Sequence, residues 1–156
     1  MLAILLFLCI YDAIAQYPAA SQNYIITKRM LSVEDGLPSR LVFDATQDQD
    51  GFMWFATMNG LCRYDGHSFK IYNTQNSALL SNAITAVAID SRNRLFIQTT
   101  MNFGSANQLF NIQVFDLKTS QFISLHQALP GSPFVTDQAI NLIHDASGSM
   151  YFLTDQ

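Results

Sequence analysis

Three observations predict an all-β fold assembled from repeated four-stranded antiparallel units. A ten-residue core, D-Q-D-G-F-M-W-F-A-T at 48–57, returns as D-S-R-N-R-L-F-I-Q-T at 90–99 and as D-A-S-G-S-M-Y-F-L-T at 145–154. Each copy holds an aspartate, a turn, an aromatic and a threonine at fixed offsets. Short apolar runs precede each aspartate, and no amphipathic helical stretch separates the copies. The aspartates step by 42 and then 55 residues, so the second unit carries about 13 extra, and insertions between repeats fall in loops on one face. Periods of roughly 40 to 50 residues built of short strands belong to propeller blades.

The elements follow in order within a unit. Leu41 to Ala45, Ile84 to Ile89 and Ile140 to His144 are near-continuous or alternating apolar runs, as expected of an inner strand. The turns Gln49-Asp50-Gly51, Ser91-Arg92-Asn93 and Ala146-Ser147-Gly148 suit tight geometry and lead into a second strand at Phe52 to Thr57, Leu95 to Thr100 and Met150 to Thr154. Asn59 and Gly60 turn the chain into Leu61 to Tyr64, Asp65 and Gly66 turn it again, and Phe69 to Tyr72 closes a four-stranded blade. Upstream, Tyr24 to Ser32 (YIITKRMLS) has the composition of a strand without a hairpin partner of its own.

The string D-G-L-P-S followed by Q-D-x-x-G-F-M-W-F-A-T-M-x-G-L-x-R-Y-D-G-x-x-F-x-x-Y resembles the first blade of the two-component regulator propellers, the periplasmic sensor halves of hybrid histidine kinases. The resemblance runs from about Tyr24 to Gln156 and loosens in the later units. There Phe96-Ile97-Gln98-Thr99 replaces the family's W-I-G-T, and Tyr151 and Leu153 stand in the third copy. It implies a sensor for a carbohydrate-derived signal, with an oligosaccharide ligand, further blades and a homodimer in the complete protein. It also implies that the 16–34 segment is the strand that closes the ring, and that the kinase region is absent from this chain.

These considerations divide the chain into a signal peptide at 1–15, the closing strand at 16–34, blade 1 at 35–76, blade 2 at 77–130 and a partial blade 3 at 131–156. About 2.5 units cannot close a ring of roughly 4 to 8 blades. The chain is therefore expected to be an N-terminal fragment or a truncated gene product; a short repeat protein that dimerises to cover its edges is the other possibility. Leu2 to Ile10 is too short to span a bilayer and, with Ala13-Ile14-Ala15 after it, has the form of a signal-peptide core and cleavage site, although no basic residue precedes it. Export to the periplasm is expected.

Residues that invite a chemical role meet a plainer alternative. The net charge is −4 with no basic patch, which excludes a nucleic-acid partner. Cys62, the one cysteine outside the leader, reads as a small core hydrophobe. Asp48, Asp50, Asp90 and Asp145 recur at a turn position without the calcium-loop pattern, so hairpin capping is expected. His67, His126 and His144 lie at unrelated offsets and form no shared zinc site. Trp54, Phe96 and Tyr151 occupy one blade position and are assigned to packing between blades. Arg63, Tyr64 and Asp65 suit an exposed turn better than a channel-facing site. No catalytic, cofactor-binding or metal-binding residue is expected, and no ligand-binding residue can be named. An enzyme on the same scaffold, a glycan lyase or hydrolase, would need paired carboxylates gathered at the ring's centre, and these units offer only turn aspartates.

Overall fold

The computed structural model describes residues 28–104, 109–131, 140–145 and 149–154. The expected 1–15 signal peptide and the 16–27 part of the expected closing strand lie outside the described residues. The chain divides into Met1–Met30 and Leu31–Gln156, and every described strand belongs to the second unit.

Ten strands and one helical turn are described. The first sheet runs β1 (Val42–Gln47), β2 (Met53–Thr57), β3 (Gly60–Tyr64), β4 (Phe69–Tyr72) in sequential antiparallel order. The second repeats it with β5 (Ile84–Ile89), β6 (Arg94–Met101), β7 (Leu109–Asp116) and β8 (Gln121–Ile123), and a hairpin of β9 (Ile140–His144) and β10 (Met150–Thr154) follows. This is the all-β, four-stranded antiparallel architecture the repeats predict.

Equivalent residues keep equivalent pairings. The innermost ladders both carry an irregularity at one place, between Val42 and Asp44 and between Ile84 and Ala86, so the two sheets share a bulge as well as an order. The extra length of the second unit lies mainly in its central hairpin: Thr57 faces Gly60, whereas its counterpart Thr99 faces Asn111, and β6 and β7 continue pairing out to Met101 and Leu109.

Alternation buries one face of each sheet against the next. Trp54, Ala56 and Leu61 from the first sheet meet Val87, Leu95, Ile97 and Phe115 from the second in one core. From the opposite face of the second sheet, Ala88, Phe96, Ile112 and Val114 meet Leu142 in another core, with Phe152 packed against it. Face-to-face stacking of sheets is how a repeat without a core of its own buries apolar area.

Two departures from expectation have local causes. Lys28 to Ser32, the described end of the expected closing strand, are not in a strand. Their neighbourhood is committed to a turn instead: the Ser32 amide and hydroxyl both donate to the Asp35 carboxylate at 2.9 Å, and the Leu37 amide returns to the Ser32 carbonyl. The turn between β2 and β3 is made by Met58 and Asn59, and Gly60 is already the first residue of β3. Its φ of +116° and a site where a Cβ would sit 2.5 Å from the Tyr72 carbonyl oxygen explain why glycine stands there. One element is new: a helical turn, α1 (Leu125–Ala128), follows β8. Ser124 and Gln127 start it with a reciprocal capping box, and Leu125 and Ala128 are buried in the second core.

Candidate functional site

The recurring aspartates act on their own hairpins. In each unit the aspartate amide donates to the carbonyl four residues on, and that residue's amide donates back to the aspartate Oδ1: Phe52 at 2.9 Å, Arg94 at 2.9 Å and Ser149 at 3.0 Å. The second carboxylate oxygen then takes a different partner in each copy. Asp48 accepts the Trp54 indole N–H at 2.7 Å, Asp90 pairs with the Arg94 guanidinium at 2.6 Å, and Asp145 accepts the Tyr151 hydroxyl at 3.3 Å. Arg94 also reaches the Ala128 carbonyl, tying α1 to the turn. A carboxylate engaged in this way closes a turn with one oxygen and orients a side chain with the other.

A second repeated device joins one sheet to the next. Asp44 Oδ2 accepts the Val87 amide at 3.0 Å, and Gln98 Oε1 accepts the Leu142 amide at 3.2 Å. Val87 and Leu142 are equivalent positions on successive inner strands. Their acceptors come from opposite strands of one rung, since Asp44 pairs with Ala56 while Ala86 pairs with Gln98. His144 adds a contact across two units, its Nε2 lying 3.3 Å from Asp44 Oδ2. The same Asp44 oxygen thus meets a backbone amide of the second sheet and a side chain of the last hairpin, and it braces one unit against the others. At the end where β6 and β7 project, Phe43 and Phe103 meet with ring centroids 5.3 Å apart, and both stay about two-fifths exposed (39% and 42%).

These repeating sheets find their match among known proteins. Residues 36–59 fit the family model described as the two component regulator propeller. The chain carries a two-component regulator propeller repeat. Over 63 residues it is 38% identical to histidine kinase P4 of Formosa agariphila, a match covering 39% of this chain and 5% of that protein. The crystal structure of the extracellular domain of a protein described as a hybrid two-component system from B. thetaiotaomicron aligns with a TM-score of 0.58 at 25% identity, over 80% of this chain and 17% of that one. The chain thus spans only a small part of each of these relatives.

The other singled-out residues take structural places. Trp54 stacks on Tyr72 at 5.7 Å and meets Phe115 edge-on at 6.0 Å; Phe96 meets Phe152 at 5.9 Å. Both therefore lie between sheets, whereas Tyr151 at the same position is 52% exposed on β10. Arg63 lies with its guanidinium 4.4 Å from the Phe52 ring centroid, and the Tyr64 hydroxyl donates to the Gly66 carbonyl at 2.6 Å. The exposed Asp65 accepts the Ser68 amide and hydroxyl and the His67 amide, and these hydrogen bonds, Ser68's first, hold its carboxyl down to about 2. Cys62 is fully buried, and burial pushes its thiol up to about 12. A thiol so disfavoured as thiolate is a packing group. Among the described residues no cluster of three histidine, cysteine or acidic side chains could hold a metal ion, and no helix is long and apolar enough to cross a membrane.

The braces escaped sequence reasoning. Asp44 and Gln98 do not align with each other in the repeat, and a column-by-column comparison passes over both.

Proposed function

We propose that this chain is part of the propeller in an exported, periplasmic sensor region of a two-component system, and that the propeller recognises a carbohydrate-derived signal. The observation that carries the proposal is the matched repeat, folded as stacked four-stranded sheets whose recurring polar residues brace turns and neighbouring sheets. The extracellular domain it resembles and the histidine kinase relative support the sensor role, and the leader-like 1–15 segment supports export. Tyr151, Ile143 and Leu153, exposed on one face of the last hairpin, fit a place where a further sheet stacks.

Such a module works by binding. A ligand that prefers one of two arrangements of the assembled sensor shifts their populations, and the kinase elsewhere in the protein reads the shift. No phosphoryl chemistry falls to these residues.

The test has two arms. Alkaline phosphatase fused after residue 30 should be active in the periplasm, and inactive fusions would remove export. Calorimetric titration of the protein with a panel of neutral and acidic oligosaccharides should give saturable heat with at least one, and uniform absence of heat would overturn carbohydrate recognition.

A further inference from the structure

A cleft of about 440 Å³ opens where the outer strands β4 and β8 of neighbouring sheets approach each other. Its volume lies within the roughly 300–1,000 Å³ of small-ligand sites, enough for one or two sugar rings. The floor is aromatic: Tyr72, Phe115 and Phe122 form a continuous set, with centroids 5.5 Å apart for Tyr72 and Phe115 and 4.7 Å for Phe115 and Phe122. The rim is polar, with Lys70, Asn76, Ser77 and Gln121.

The rim groups differ in what they have left to offer. Asn76 and Ser77 already donate to the Ile71 and Asn73 carbonyls. The Lys70 ammonium lies 5.1 Å from the centroid of the Tyr72 ring and, among the described residues, meets no carboxylate. The chain as a whole is acidic, with a net charge of −4, and Lys70 sets a positive charge over the aromatic floor of this cleft. Aromatic faces stack on the apolar C–H faces of a sugar, amides pair with its hydroxyls, and an ammonium selects a carboxylate or sulfate on the ring.

We propose that this cleft binds an acidic sugar, a uronic acid or sulfated hexose unit, with its ring over Tyr72 and Phe122, its anionic group on Lys70 and a hydroxyl on Gln121. This deepens the carbohydrate proposal above and rests on it. Because the lining comes from both sheets, a bound sugar would bridge them, and occupancy would bias their spacing.

The probes are digalacturonate and a neutral disaccharide, titrated by calorimetry into the wild-type protein and into Lys70→Gln, Lys70→Arg and Gln121→Ala, each first shown to melt as the wild type does. Digalacturonate should bind, weaken with added salt, and bind at least about tenfold more tightly than the neutral disaccharide. Lys70→Gln should lose about tenfold or more, Gln121→Ala less, and Lys70→Arg should retain binding. Equal affinity for the neutral sugar, or unchanged affinity in Lys70→Gln, would overturn the cleft. Should another oligosaccharide of the panel bind equally well to wild type and Lys70→Gln while digalacturonate does not bind, the cleft falls and carbohydrate recognition stands. No heat with any sugar overturns both.

Discussion

The first and second sheets have the same strand order, the same bulge and the same face-to-face packing, yet they hold those features with different chemistry. Asp48 in the first sheet braces an indole, while Asp90 in the second braces a guanidinium that continues to α1. The first sheet reaches the next inner strand with a carboxylate from β1, and the second does so with a carboxamide from β6. What persists between the copies is a backbone amide needing an acceptor at a given rung. The residue that satisfies it is free to change type and even strand, because a buried amide is satisfied by any well-placed oxygen.

Substitutions at matched positions test how far the equivalence goes. The largest effect is expected at the sheet interface: Trp54→Ala should destabilise by about 3–5 kcal/mol in chemical denaturation, since it empties a fully buried site. Phe96→Ala should cost a comparable amount, and a clearly smaller loss there would show that the second interface packs less well. Gly60→Ala combines a positive φ with a clash against the Tyr72 carbonyl and should cost about 2 kcal/mol or more. Asn111 in the longer β6–β7 hairpin faces the equivalent threonine, and Asn111→Ala should have little effect on the same denaturation midpoint.

Removal of the turn aspartates ranks next. Asp48→Ala strands the Trp54 indole and two turn amides, for a loss of about 2 kcal/mol. In Asp48→Asn the side-chain oxygen can still serve the turn amides, and it should recover part of that loss. Gln98→Ala should cost about 1 kcal/mol by leaving the Leu142 amide without its acceptor. Adding Ala86→Asp to Gln98→Ala recreates the first sheet's brace in the second and should restore most of the loss. If the double variant is no more stable than Gln98→Ala, the two braces are not interchangeable. The smallest effect belongs to Asp65. Its carboxyl is held below the ordinary aspartate value, so its contribution is complete above about 4 and is lost as pH falls towards about 2. Carboxyl NMR titration should find its midpoint near 2, and Ser68→Ala should raise it.

Much of this fold could be read from the residues. The aspartate-turn-aromatic pattern is local: each aspartate contacts residues within its own hairpin, so sequence spacing encodes the geometry directly. Trp54 and Phe96 were legible for a related reason, since alternation along a strand places them on the face that meets the next sheet. The inter-sheet braces were hidden because their partners lie 43 and 44 residues away and because the acceptor switches strands between copies. At 28–32, the described end of the 24–32 stretch, composition favours a strand but the chain leads into the Ser32–Asp35 turn instead. The cleft over Tyr72, Phe115 and Phe122 arises only when two outer strands meet, and no single repeat contains it.

The braces also give the stack a direction. Each runs from a side chain of one unit to an amide hydrogen of the next, so the exchange rate of the Val87 amide depends on order in the first sheet, and that of Leu142 on order in the second. Two single amides can therefore report, unit by unit, how a disturbance introduced at one sheet travels along the array.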